Sequence, residues 1–510
     1  GRYIMKFNLK AVVNSKQVVN YEGEKAFSLT PQLELYTAVV TAALSDQFYE
    51  KADTKLQRIR ELIDKNDAVF VAKLAIYARE QMHLRSVPLV LIVELAKRHS
   101  GDDLIYLLTK RVVQRADEIT ELLAYYALAN ERKATKQLNK LSKQMQKGLA
   151  DAFNKFDEYQ FAKYNRDAAV KLKDALFLVH PKAKDEAQQL LFDKIVKDEL
   201  QTPYTWETEL SALGQQKFDD DTLKQAAIRA KWEELINSNK LGYMATLRNL
   251  RNILEAGVHT DALKKVCDYL SNEKAVANSK QLPFRFLAAY RELKGLNNGN
   301  VSKVLEALDQ AALCSAINIE GFGEAIKVVI AADVSGSMQK TISPKSKIQN
   351  YDIGLMLAML LQSRCEHVIT GMFGDTWKVI NVPKNNILPN VDEFHRREGE
   401  VGYSTNGYLV IQDLLQRKQI VDKVMLFTDC QLWNSNGKEN IATLWKQYKQ
   451  IAPHAKIYLF DLAGYGKLPL SIMADGVHLI SGWSDKIFNV LTALENGKAT
   501  LDVINDIALN

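Results

Sequence analysis

The sequence predicts two folds in tandem: an all-α array of helices over residues 29–320 and a doubly wound α/β domain over 321–510. Three observations carry this. Amphipathic segments of helical period follow one another from about residue 29 to 316, with short polar turns between them. At Gly321-Phe322-Gly323 the pattern changes, and strands begin to alternate with helices. The apolar run 328–332 then ends in Asp333-Val334-Ser335-Gly336-Ser337, a buried strand handing an acid and two hydroxyls to a loop.

Taken in order, residues 1–28 form an N-terminal segment. Residues 1–4 read as a vector-derived remnant ahead of a natural start at Met5. The apolar stretch near Val12 is short and broken by Asn14 and Lys16, so it is not a secretory signal. Thr30-Pro31 is a helix start: a capping hydroxyl followed by proline at the first helical position. Helices are then expected near 52–65, 67–83, 87–99, 102–113, 117–129, 131–155, 167–179 and 185–199. Others are expected near 221–238, 241–256, 259–271, 283–294 and 300–316. No fixed period recurs, yet short turns between amphipathic helices favour stacked helical pairs. Beyond residue 321, strands are expected at 326–332, 367–373, 378–382, 423–428, 456–461 and 476–480, with helices near 350–362, 406–417, 439–451 and 484–496. The strand at 378–382 follows its predecessor after only Gly374-Asp375-Thr376, so it should be an antiparallel edge strand.

The 510 residues are 47% apolar and 25% charged, as in a soluble globular protein of two or three domains. No apolar run reaches the roughly 18 residues of a membrane span. The four cysteines stand singly, without C-x-x-C spacing, and read as free thiols of a reducing cytoplasm. The net charge of +6 is small for this length, so any nucleic-acid signal must be a local patch.

One such patch is present. Between Arg132 and Ala150 stand six basic residues and no acid. Lys133, Lys136, Lys140, Lys143 and Lys147 fall on one face of a helix, with Leu138, Leu141, Met145 and Leu149 opposite. Such a row of lysines, about 20 Å long at the helical rise, suits a phosphate backbone without demanding a base sequence. A solvated helix face is the alternative. Further candidates are Lys155, Lys163, Arg166, Lys171 and Lys173, the segment His180-Pro181-Lys182, and Arg248 and Arg251 within Leu247-Arg248-Asn249-Leu250-Arg251-Asn252. His180 could stack on a base or bond a phosphate.

The other candidate site is a metal centre. In D-x-S-x-S, Asp333, Ser335 and Ser337 can aim three oxygens at one point. Thr405, in Gly402-Tyr403-Ser404-Thr405-Asn406-Gly407, and Asp429, after the strand 423–428, would add two more. Hard oxygens with few charges suit one Mg²⁺. The pentad, Thr405 and Asp429, in that order at strand ends, resemble the metal-ion-dependent adhesion site of von Willebrand factor A domains. Tyr403-Ser404 stands where that family has Gly-Gly, which leaves Ser404 as an alternative ligand to Thr405.

Together the two halves resemble the Ro autoantigen family, whose helical part is the TROVE module. The resemblance is carried by Ala245-Thr246-Leu247-Arg248-Asn249-Leu250, Leu270-Ser271-Asn272-Glu273-Lys274, Leu282-Pro283-Phe284-Arg285-Phe286 and the segment from Leu176 to Lys182 that contains His180. It implies a ring of HEAT-like repeats closed by the A domain. It also implies binding of small noncoding Y RNAs on the outer surface and of single-stranded 3′ ends of misfolded RNAs in the central hole, in partnership with an exoribonuclease. The expected function is therefore non-enzymatic RNA quality control by a cytoplasmic, monomeric protein in a ribonucleoprotein. The alternative is a scaffold whose A domain grips a partner carboxylate through Mg²⁺. A hydrolase is disfavoured, since the residues offer one metal site, no candidate base and no nucleophile motif.

Overall fold

Short polar residues before apolar runs start the helices, and their caps are in place. In the computed structural model the Thr30 hydroxyl accepts from Leu33 N, Asp67 from Phe70 N and Asp185 from Gln188 N. The structure describes residues 30–42, 54–130, 141–165, 168–279, 283–316, 325–334, 336–339, 341, 347–428, 441–461, 470–474, 476–481, 490, 493 and 497–510.

The chain divides into two compact units, one of residues 30–208 with 493–510 and the other containing residues 209–492. The first is helical, from Pro31–Thr41 through Thr54–Asp64, Ala68–Glu80, Ser86–Arg98, Leu104–Val112 and Ala116–Ala129 to Glu186–Val196. Its apolar stripes meet in a core that includes Leu74, Val90, Leu108 and Leu122. Charged side chains also lie inside that core. Glu94 is fully buried and accepts from Arg60 (2.9 Å), Arg98 (2.7 Å) and the Tyr125 hydroxyl (2.7 Å). Burial opposes its ionisation, but those donors outweigh it and hold the carboxyl below its ordinary range.

The last helix, Gly497–Asn505, returns to this unit. It packs on Ala68–Glu80 and Pro31–Thr41, buries Ile504, and accepts at Asn505 O from Lys73 Nζ (2.6 Å). The compact units therefore depart from the sequence boundaries in two places. The segment 493–510 leaves the α/β domain expected over 321–510, and the boundary at 320 falls inside one unit. Both departures come from long-range packing, which local periodicity does not report.

In the second unit the helices Asp221–Asn237, Tyr243–Arg248, Leu250–Ala256, Thr260–Leu270, Glu273–Ser279, Pro283–Lys294 and Val301–Ser315 precede a sheet. The helix expected over 241–256 is interrupted at Asn249. That residue is buried, its side chain bonding Ala245 O (2.8 Å) and accepting from Asn252 (2.9 Å). The strands are β1 (Lys327–Asp333), β2 (His367–Phe373), β3 (Trp377–Val379), β4 (Lys423–Thr428), β5 (Lys456–Asp461), β6 (Leu470–Ala474) and β7 (Val477–Ser481). Among the described residues they form one sheet of order β3-β2-β1-β4-β5-β7-β6. β1, β2, β4, β5 and β7 run parallel; β3 and β6 are antiparallel edges. The β3 edge is as expected; β6 was not anticipated.

The sheet is covered on both faces, as parallel sheets require. Tyr408–Gln416 and Ile441–Ile451 pack on Val329, Val424, Leu426 and Ile457. Asn350–Arg364 covers β1, β2 and β4 and is buried from Asn350 to Gln362, which explains its apolar sequence all round. The helix Pro283–Lys294 is tied to this layer. Arg291 grips the buried Asp352 through two bonds of 2.5 and 2.6 Å, and Lys294 pairs with Asp392 at 2.9 Å.

Candidate nucleic-acid interface and sheet-edge site

The basic run folds differently from expectation. A single helix was expected over 131–155, but the described helix is Lys143–Phe153. Ser142 is its N-cap, accepting from Met145 N at 3.5 Å. Leu141 and Ser142 are not helical, so one continuous helix over 131–155 is not formed. Serine competes for backbone bonds and here starts a helix rather than sitting within one. Lys133, Lys136, Lys140 and Arg166 lie outside the described residues. Lys143 and Lys147 are exposed, while Leu141, Met145 and Leu149 are buried as the spacing predicted. The Lys147 ammonium stands 4.5 Å from the centre of the Tyr106 ring. Gly148 permits the close seat of this helix: a Cβ there would lie 2.6 Å from Thr109 Cβ.

The helix Lys143–Phe153 and its C-cap Asn154 also hold the second predicted segment. Gln146 Nε2 donates to Val179 O (3.2 Å), Asn154 Nδ2 to Lys182 O (2.9 Å), and Lys184 N to Asn154 Oδ1 (2.9 Å). His180 ends the helix Leu172–Val179 in the left-handed region, φ 51°. Its ring is exposed, as is Lys182. The structure thus brings Lys143, His180 and Lys182 onto one clamped frame. Two residues that make it, Gln146 and Asn154, were not singled out from sequence. A lone amide late in an amphipathic helix gives no signal of its own. Lys155, an exposed residue of the same basic stretch, folds its ammonium back to donate to Val113 O (2.8 Å) and Lys110 O. Burial, with Lys110 near, pulls its ammonium down to about 8.

Arg248 and Arg251 lie in the other unit and are exposed. Arg251 pairs with Glu255 at 2.9 Å, and Arg248 reaches Met244 Sδ at 3.6 Å. The neighbouring amides Asn249 and Asn252 bond within their own helices, so they are committed to structure.

At the carboxyl edge of the sheet, Asp333 ends β1 fully buried and accepts from Thr428 Oγ1 (2.8 Å) at the end of β4. The loop containing Thr405 is fastened to the same edge. Asp375 N and Thr376 N donate to Val401 O, Ser404 N donates to Asp375 Oδ1 (3.1 Å), and Asn406 N donates to Gly374 O (3.2 Å). A Cβ on Gly374 would stand 2.1 Å from Gly402 O, and Gly402 itself has φ +75°. Ser404 is exposed and Thr405 half-buried. Ser337 falls in the 3₁₀ turn Gly336–Gln339; Ser335 and Asp429 lie outside the described residues. Among the described residues no cluster of three or more His, Cys, Asp or Glu side chains forms a metal site. The donors expected here are mainly hydroxyls with two acids, a set that fits Mg²⁺ in chemistry.

Comparison with known proteins decides the family. The model of the TROVE domain matches residues 15–217 and 197–318, more than half of the chain. The chain belongs to the TROVE-domain family. TROVE-domain proteins bind RNA in ribonucleoprotein complexes. The crystal structure of the Deinococcus radiodurans RO (RSR) protein superposes with a TM-score of 0.61 over 92% of this chain and all of that one. At 17% identity this is a likeness of fold. The rat telomerase protein component 1 is 43% identical over 97 residues, and the mouse protein 41% over the same length. Those matches cover 19% of this chain and only 3% of either relative.

Proposed function

We propose that this TROVE-domain protein binds a small structured noncoding RNA of the Y type along the surface built by Lys143, Lys147, His180 and Lys182. The observation that carries the reading is the clamping of an exposed basic segment, 180–184, by side chains of a helix that itself presents lysines. Lysine point charges held on a fixed frame engage a backbone without reading sequence. In this reading the protein acts without catalysis in noncoding RNA quality control in the cytoplasm. It takes single-stranded ends of misfolded RNA and hands RNA to an exoribonuclease.

The sheet edge supports a second role of von Willebrand factor A type. Asp333, Ser335, Ser337, Asp429 and either Thr405 or Ser404 would hold one Mg²⁺, and the cation would supply a Lewis-acid position for a partner's carboxylate. The buried Asp333 and the fastened 401–406 loop favour this reading.

The test of the RNA surface is a salt series. Changing Lys143 and Lys147 together to Gln should weaken binding to a small structured RNA. It should also flatten the slope of log K against log salt by about 1.4 to 1.8, two contacts at about 0.7 to 0.9 each. An unchanged slope would mean that these lysines only solvate a helix.

A further inference from the structure

The helix Leu172–Val179 buries Leu172, Ala175, Leu176 and Val179 against its neighbours. Its outward stripe is Lys173, Phe177 and His180, spaced i, i+4, i+7 and all exposed. Phe177 is 56% exposed, the one large aromatic on a helix whose inward positions already supply its packing. A single ring among charges is too small an apolar patch to seat a protein partner. It is the right size for one base.

The surroundings point the same way. Lys173 lies one turn before Phe177, and exposed Lys182 and Lys184 follow the helix. Lys143 stands on the helix whose Gln146 bonds Val179 O. The platform is also preorganised: Val179 O, Lys182 O and Lys184 N are all fixed by that helix and its cap.

We propose that Phe177 is a stacking platform for an unpaired nucleotide of the bound RNA. Lys173 and Lys182 meet the flanking phosphates, and His180 contacts the same nucleotide. This rests on the RNA reading above and adds the feature recognised: a bulged or looped base beside a paired stem. Base faces stack on aromatic rings with little regard to sequence, whereas stacked duplex bases present no free face.

The test uses the full chain with two probes, a hairpin carrying one bulged uridine and a blunt-ended duplex of the same stem, fully paired and without a loop. Phe177→Ala should weaken binding to the bulged hairpin roughly 5- to 150-fold, the range that base–aromatic stacking commands. It should leave the paired stem and both salt slopes unchanged, because no counterion is released by stacking. Phe177→Trp should keep the affinity, and the bulged hairpin should quench its tryptophan emission more than that of the wild type, whose six tryptophans lie elsewhere in the chain. Since the side chain is exposed, circular dichroism of both variants should match the wild type. Equal binding of the bulged hairpin by Phe177→Ala and wild type overturns this inference alone, as does an equal loss on both probes. A wild-type chain that binds neither probe overturns the RNA reading and this inference with it.

Discussion

Replacing Arg291 by Met should loosen the helix Pro283–Lys294 from the sheet layer, and the size of the effect follows from the burial of Asp352. That carboxylate is fully buried. Arg291 donates to it through both terminal nitrogens, His395 Nε2 bonds the same carboxylate, and Gln349 N donates at 2.8 Å. Burial alone would raise its pKa; the His395 and Arg291 bonds and charges win and hold it at about 2. Against an ordinary value of 3.8, that depression corresponds to about 2.5 kcal/mol of stability. The folded pKa is depressed, so this stability is present above about pH 4 and lost as the pH falls toward 2. Removing Arg291 at neutral pH takes both guanidinium bonds from a buried carboxylate and leaves it only His395 and Gln349 N, a loss of about 3–5 kcal/mol. The double variant Arg291→Met/Asp352→Asn removes the charge as well and should recover most of that loss. Because the chain holds two compact units, the readout should be local: urea-dependent hydrogen exchange of peptides from 350–364. In Arg291→Met, acidification should protect this helix, since protonation relieves a buried carboxylate that has lost its guanidinium. Exchange indistinguishable from wild type, or an unaltered acid response, would refute the reasoning.

Tyr125→Phe removes one of the three side-chain donors to buried Glu94 and should lower the stability of the first unit by about 1.5–3 kcal/mol in urea denaturation; no loss would mean that Arg60 and Arg98 suffice. At the sheet edge, Asp333→Ala should abolish Mg²⁺ binding in calorimetry while far-ultraviolet circular dichroism stays helical. Gly374→Ala should weaken Mg²⁺ binding too, because its methyl would displace the 401–406 loop from Gly402 O. Wild-type Mg²⁺ affinity in either variant would remove the corresponding residue from the metal site.

Much of this architecture was readable from local pattern, and the places where reading failed share a cause. The parallel strands declared themselves as β-branched runs, and 423–428 and 367–373 were located to the residue. β6 was missed because Leu470-Ser471-Ile472-Met473-Ala474 is short and pairs only as an edge. The lysine run looked like one helix because its periodicity is continuous in sequence. Ser142 marks a new start only once its hydroxyl is seen to accept from Met145 N. Likewise Asn249 sits at helical spacing but interrupts the helix where its side chain turns back to bond Ala245 O. The frame around His180 depends on Gln146 and Asn154, whose partners lie 33 and 28 residues away in sequence. Such contacts leave no trace in composition or period.

The central claim, that RNA lies on the surface built by residues 143–184, is tested most directly by cross-linking. The full chain would be irradiated with its RNA in cells, purified, and both partners identified by RNA sequencing and by mass spectrometry of cross-linked peptides. The account predicts one or a few small structured noncoding RNAs, enriched far above their abundance, with cross-links in peptides containing Lys143, Phe177, His180 or Lys182. Bulk cellular RNA in proportion to its abundance, or cross-links confined to peptides outside 141–184, would contradict it.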